Sequence, residues 1–343
     1  MGEPVASSEF YTQLATDYAV IFAQKASNFI GNAASVQRPS ALPSMRYYYF
    51  DPKSWQRNSM KPRPAGAESQ GSGFAMSTDY YNCEVYSEKI DLTDQLRASW
   101  NIGVVSAEQA CGQYLAQKGL LCREAVFVNK FFGTGKWQYD LNGAAGDFIP
   151  WDNKAASDPI ADVLLWCRMV QLSGAGFRPN IAIMSRLAFD VARNNPQILA
   201  RVTGGATVGI PAQIVTTDYL AKLFELDAIY IADAVVDNSE ESAVTTVTPS
   251  APGATGTSYM FGPHMLLMYR PDATAPFNPS AITTFTWTGE SMQGLSMAVY
   301  AIPLPWLGVS TVRYEIQMAW DDKITAKPLG LFAQNLCTVP AND

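Results

Sequence analysis

Residues 51–74 cannot bury a core, and that limits what the rest of the chain can do with them. They hold Pro52, Pro62, Pro64, Gly66, Gly71 and Gly73 and almost no aliphatic side chains. After Asp51 they carry four bases, Lys53, Arg57, Lys61 and Arg63, against one acid, Glu68. So little apolar surface cannot offset the entropy of ordering a segment this long. Yet both flanks read as strands: residues 46–50 are aromatic, and from Ser77 onward Tyr80, Cys83, Val85, Tyr86 and Ile90 suggest a returning strand. The expectation is a long two-stranded flap projecting from a body built elsewhere in the chain.

That body has two parts. The longest helical pattern runs over residues 106–131, with Ala107, Cys111, Leu115, Cys122 and Val126 on one stripe, until Gly133 and Gly135 stop it. From Pro150 helix and strand alternate: helices over 158–173, 187–194 and 217–223, strands over 181–184 and 228–231, as in a compact α/β unit. A strand pair is expected over 265–269 and 283–288, then a longer strand over 309–320, with Asp321-Asp322-Lys323 as a turn into a final strand near Ile324. Ahead of the flap, Phe10, Leu14, Ala15, Tyr18, Ile21 and Phe22 fall at helical spacing, with Ser7 or Ser8 as N-cap. Residues 31–43 then lose periodicity and read as an extended arm that needs a neighbour to hold it. Residues 239–258, rich in Ser, Thr, Ala, Gly and Pro, read as an exposed excursion.

Only 16% of the 343 residues are charged while 48% are hydrophobic, against roughly 25% charged in ordinary soluble domains. Part of the surface is therefore suited to burial against partners. The net charge of −7 argues against gripping nucleic acid by phosphate neutralisation. Cys83, Cys111, Cys122, Cys167 and Cys337 form no Cys-x-x-Cys pair and read as free, mostly buried thiols of a reducing cytoplasm. No apolar run approaches the roughly 20 residues that cross a bilayer, so the protein is expected to be soluble and intracellular when made.

Catalytic patterns are missing. Gly133-Thr134-Gly135-Lys136 lacks the upstream Gly of a phosphate-binding loop and is followed by Trp137, where a Mg²⁺-binding hydroxyl is required. His264 is the only histidine and lies in a turn, and no His/Cys cluster has metal-ligand spacing. The acid pairs Asp321/Asp322 and Glu240/Glu241 are expected in turns or exposed segments, and the acidic run 225–241 lacks a Ca²⁺-loop pattern. No catalytic, cofactor-binding or metal residue is assigned.

Several patches in order make a resemblance specific. Tyr47-Tyr48-Tyr49-Phe50-Asp51, Arg63-Pro64-Ala65-Gly66-Ala67-Glu68 and Ser77-Thr78-Asp79-Tyr80-Tyr81-Asn82-Cys83 resemble the strand and extended loop of tailed-phage major capsid proteins. Asp94-Gln95-Leu96-Arg97-Ala98 resembles the approach to that family's long spine helix, and Arg123-Glu124 with Lys130-Phe131-Phe132 its end. Trp151-Asp152, Ser157-Asp158-Pro159-Ile160 and Gly176-Phe177-Arg178-Pro179-Asn180 resemble the start of its axial domain. Phe261-Gly262, Tyr269-Arg270-Pro271 and Trp287-Thr288 are similar to that domain's later strands, and Asp321-Asp322-Lys323 with Gly330 to the terminal return.

The resemblance implies an α+β fold of the Hong Kong 97 type. Its parts would be an N-terminal arm (1–46), a strand and E-loop flap (47–92), a spine-helix region of the peripheral domain (93–149), an axial α/β domain (150–308) and a return to the peripheral domain (309–343). Lys53, Trp55, Arg57, Lys61, Arg63 and Glu68 on the E-loop, and Phe10, Tyr18, Phe22 and Phe29 on the arm, would meet neighbouring subunits. The implied partners are copies of the chain itself in hexamers and pentamers of an icosahedral shell, a separate scaffolding protein, a portal and, optionally, a decoration protein. The shell would enclose double-stranded DNA without reading its sequence and without a membrane, in a virion assembled from protein made in the host cytoplasm. An encapsulin-type nanocompartment shell is the alternative within the fold, and a cytoplasmic α/β enzyme the alternative outside it.

Overall fold

The computed structural model describes residues 24–50, 52–100, 107–202, 215–237, 257–272, 278–289, 294–295, 297, 299–307 and 311–338. Most of the expected helix on residues 8–29 and nearly all of the expected excursion over 239–258 lie outside them; in the helix's described end, 24–29, only Ala26–Asn28 turn, as a 3₁₀ helix. The chain begins with α1 (Gly31–Ala34), β1 (Val36–Ser40), β2 (Ser44–Phe50), α2 (Pro52–Gln56), β3 (Met76–Asn82), β4 (Glu84–Leu92), α3 (Asp94–Trp100) and the long helix α4 (Ala107–Phe131). It continues through β5 (Tyr139–Asn142), α5 (Pro159–Ser173), β6 (Ile181–Ser185), α6 (Arg186–Arg193), α7 (Pro196–Val202), α8 (Thr217–Leu223), β7 (Ala228–Ala232), β8 (Val235–Asp237) and β9 (Thr257–Tyr259). The last strands are β10 (Met265–Met268), β11 (Ile282–Trp287), β12 (Val299–Pro303), β13 (Val312–Ile324) and β14 (Gly330–Gln334).

Two five-stranded sheets share the long helix. In the first, β13 pairs with β4 along one edge and with β12 and β11 along the other, and β1 adds to β11 in parallel. The second has the order β5-β14-β10-β6-β7. Helix α4 buries Ala107, Cys111, Leu115, Gly119, Arg123, Phe127 and Phe131, every fourth residue along its length. At 3.6 residues per turn such a stripe advances by about 40° at each step and winds roughly 240° around the helix. Its first turns therefore pack with Leu92 of β4, while Phe127 and Phe131 reach the core under the second sheet. Gly119 falls where the helix lies closest to β13, and a Cβ there would sit 3.1 Å from Ile316 Cδ1. Glycine costs up to about 1 kcal/mol relative to alanine inside a helix, and here it permits that approach. The predicted stripe included Cys122 and Val126, which are only half-buried. The true stripe passes through Gly119 and Arg123, which an apolar pattern does not mark.

The centre of the second sheet is covered on both faces, so β6, β10 and β14 are almost wholly apolar, while the edge strand β5 is half-buried and mixed. Ala182, Met184, Met265, Leu267, Leu331 and Ala333 meet α5 and its neighbours, together with Trp151, Trp166 and Phe224. The intervening Ile181, Ile183, Leu266, Met268 and Phe332 face Phe127 and Phe131. Helix α5 starts as its sequence suggests: Asp158 accepts from the N–H groups of Ile160 and Ala161, with Pro159 in the first turn.

Four expectations need correction. The pair expected between 265–269 and 283–288 does not form, because β10 joins the second sheet and β11 the first. The chain also crosses between the sheets more often than a linear division at 150–308 and 309–343 allows. Strands β11 and β12 lie in the first sheet, and β14 lies inside the second, where Leu331, Phe332 and Ala333 find cover on both faces. The returning strand beyond the flap is two strands, broken at Cys83, whose N–H bonds Pro43 O: β3 pairs with β2, and β4 with β13. Finally, Asp321 and Asp322 mark no turn. Strand β13 runs straight through them, and both are buried.

Candidate assembly interface

Residues 31–43, expected to need a neighbour, are held by their own chain as far as Ser40. Glu124, fully buried on α4, accepts from Ile30 N at 3.1 Å and Gly31 N at 2.9 Å, capping the short helix α1. Burial pushes the Glu124 carboxyl above its usual range, and these two N–H groups pull back against that shift. Arg123 donates to Asp322 at 2.5 Å, to Gly31 O at 3.1 Å and to Asn32 Oδ1 at 3.1 Å. Thr284 Oγ1 lies 2.5 Å from Asp322 Oδ1 and 2.8 Å from Ser35 Oγ. Strand β1 then pairs with β11 from Val36↔Thr283 to Ser40↔Trp287. Phe29 is buried in this chain's core beside Phe127, which removes it from the residues that can meet a neighbour. Phe10, Tyr18 and Phe22 lie outside the described residues.

The flap is fixed at its root and open at its tip. Strands β2 and β3 pair in register from Ser44↔Asn82 to Phe50↔Met76. At the root, Tyr81 stacks on Phe285 at 4.1 Å and its hydroxyl lies 2.7 Å from Ser40 Oγ. Tyr47 donates to Asp79 at 2.9 Å, and burial, aided by that bond, pushes the Tyr47 phenol well above its ordinary range. Asn82 N donates to Asp321 Oδ2 at 3.0 Å, and Lys130 of α4 holds Asp321 Oδ1 at 2.6 Å. The adjacent acids of β13 therefore secure the flap root and, through Arg123, residues 30–35.

Beyond Phe50 the flap is exposed over most of its length among the described residues. Lys53, Trp55, Arg57, Lys61, Arg63 and Glu68 are all exposed, and Arg63 reaches Ser69 Oγ at 3.4 Å. Phe50, Trp55 and Phe74 form a ring cluster with centroids 5.7–6.2 Å apart. Trp55 is nonetheless 65% exposed, Phe74 62% and Met60 91%. Sequence reading named Trp55 but missed Phe50, Phe74 and Met60; the aromatic residue at each strand end was the available signal. A two-stranded ribbon is marginal alone in water, and aromatic residues, Met and Arg are what interface cores enrich.

Elsewhere the residues with chemical potential have structural duties. Lys136 folds back onto Asn129 O at the end of α4, so the Gly-Thr-Gly-Lys turn is a helix stop. His264 is half-buried, accepts at Nδ1 from Asn335 N at 3.2 Å, and has a pKa pushed down to about 4 by desolvation. All five cysteines are free. Among the described residues no group of three His, Cys, Asp or Glu could hold a metal, and no helix is long and apolar enough to cross a membrane.

Comparison with solved structures settles the fold. A phage-related protein from Bordetella bronchiseptica superposes with TM-score 0.63 at 17% identity, covering 96% of this chain and 97% of that one. The capsid protein of cyanophage P-SCSP1u gives TM-score 0.57 at 9% identity, over 93% of this chain and 90% of that one. The chain has the Hong Kong 97-type capsid fold. The same capsid fold relates it to the SrpI encapsulin of Synechococcus elongatus, with TM-score 0.54 at 10% identity over 99% and 100% of the two chains. The capsid of Myoviridae phage XM1 and the capsid of a native GTA particle each match with TM-score 0.53. No protein-family model and no curated protein matches the sequence.

Proposed function

We propose that this chain is the major capsid protein of a tailed phage, a subunit that encloses double-stranded DNA by assembling with copies of itself and catalyses no reaction. The observation that carries the reading is the flap on this capsid fold: its root is fixed by buried contacts, while Trp55, Met60 and Phe74 at its far end are uncovered. Lys53, Trp55, Arg57, Lys61, Arg63 and Glu68 supply the contact with the adjacent subunit, and Phe50, Met60 and Phe74 join them. On the arm, Phe10, Tyr18 and Phe22 are the residues assigned to a neighbour. The peripheral domain comprises the first sheet with α4, and the axial domain comprises the second sheet with α5–α8. Each contact is modest, and avidity over several of them closes the shell as hexamers and pentamers. Scaffolding protein, portal and, optionally, decoration protein complete the head, in a virion assembled in the host cytoplasm.

The encapsulin match favours a second reading, a shell enclosing a protein cargo. Particles recovered from cells making the head proteins distinguish the two. The capsid reading expects nuclease-protected DNA of defined length inside them. Particles holding a co-purifying protein and no protected DNA would transfer the chain to the second reading.

A further inference from the structure

Helix α4 grips one residue, Gly31, from both sides. Glu124 accepts the Gly31 N–H at 2.9 Å and the Ile30 N–H at 3.1 Å, while Arg123, its neighbour in sequence, donates to Gly31 O at 3.1 Å. The two jaws differ in electrostatic balance. Arg123 is neutralised by Asp322 of β13. Glu124 is 0% exposed and forms no ion pair among the described residues, so two neutral N–H groups are its direct compensation. A buried carboxylate without a bonded counter-charge strongly favours taking up a proton. The fit is close: a Cβ on residue 31 would lie 3.1 Å from Glu124 Oε2, and glycine there lets the carboxylate reach the backbone. Few charges surround it. Residues 29–35 carry none, and Arg270 meets them from outside at Ala33 O. On α4 there is Arg123 and, further along, Lys130, which holds Asp321; on β13, Asp322 faces Arg123.

We infer that Glu124 is a proton-operated latch: residues 29–35 sit most firmly on α4 while Glu124 carries a proton, and loosen when it ionises. Burial raises the Glu124 carboxyl from its ordinary 4.5, and the two N–H groups and Arg123 offset this only in part. Lifting residues 29–35 away returns the carboxylate to water and to its ordinary value. The docked state therefore holds the proton more tightly. Docking is strongest below pH 4.5, weakens as pH rises through the raised value, and is level above it. The Arg123 jaw keeps its charge throughout, so ionisation loosens the segment without freeing it outright. The latch acts within one subunit and does not depend on the shell reading. Under that reading, it makes the release of residues 29–35 towards a neighbour sensitive to pH.

The test is hydrogen exchange of the full-length, unassembled subunit between pH 4 and pH 8, with each rate corrected for the intrinsic pH dependence of exchange. Protection of residues 29–35, taken relative to β6 and β10 in the second sheet, should fall severalfold in the wild type as pH rises. E124Q, which cannot ionise, should give a flat profile for the same residues. Wild-type protection that stays level with pH, or that falls equally in E124Q, would overturn the latch. If E124Q does not fold, the wild-type profile decides alone. Neither outcome bears on the shell reading, which shell formation tests separately.

Discussion

Arg123 Nη1 lies 2.5 Å from Asp322 Oδ2, with the two side chains 3% and 0% exposed. The guanidinium also holds Gly31 O and Asn32 Oδ1, so one buried cation ties the long helix, the long strand and residues 31–32 together. A desolvated pair of this kind is costly to break from one side, because the remaining charge is stranded.

Replacing Arg123 with Met should therefore destabilise the subunit by about 3–5 kcal/mol. R123M/D322N should recover part of the loss by removing the stranded charge. Denaturant midpoints of the two variants check this. Equal stability of R123M and wild type would mean the pair contributes nothing to holding residues 30–35.

Deleting residues 53–73 and joining the strands by a short turn should leave the subunit folded, because that stretch is exposed almost throughout. Melting temperature should change by only a few degrees, while assembly fails. Loss of the cooperative transition would place the flap in the core.

Reversing Arg57, Lys61 and Arg63 together should slow assembly and flatten its dependence on salt, with little effect on subunit melting. Exposed pairs are each worth about 0–1 kcal/mol and act mainly on association rate. Light scattering at two ionic strengths reads both effects, and unchanged kinetics would leave the cluster as a solvated loop.

His264 makes stability depend on pH. Its folded pKa of about 4 lies below the ordinary 6.5, so the unfolded chain binds the proton more readily. Its contribution is complete above pH 6.5 and is lost as pH falls towards 4, by at most about 3 kcal/mol. Acids with raised pKa, the buried Glu124 and the half-buried Asp162, act in the opposite sense, so the comparison must be with a variant. H264Q should show a shallower fall in stability than wild type between pH 6.5 and 4. Parallel curves would show that His264 does not titrate there.

Much of the fold was legible because local signals agreed with tertiary demands. Asp158-Pro159 marks the start of α5, residues 217–223 form α8 as their pattern predicts, and the Pro/Gly-rich basic stretch projects as a flap. Failures came where a side chain's role is set by a distant partner. Arg123, Glu124, Asp321 and Asp322 look like surface charges until the residues that neutralise them, up to 199 positions away, are placed. Strands β10 and β11 both read as strands, and only three-dimensional pairing assigns them to different sheets. On the candidate interface, Trp55 stands out in the sequence from its setting among prolines and bases, and the structure leaves it exposed.

The most direct test of the account is negative-stain imaging of the purified chain, alone and with its scaffolding protein. The account predicts hexamers and pentamers or closed shells of uniform diameter in at least one condition. A monodisperse monomer in both, even at high concentration, would contradict it.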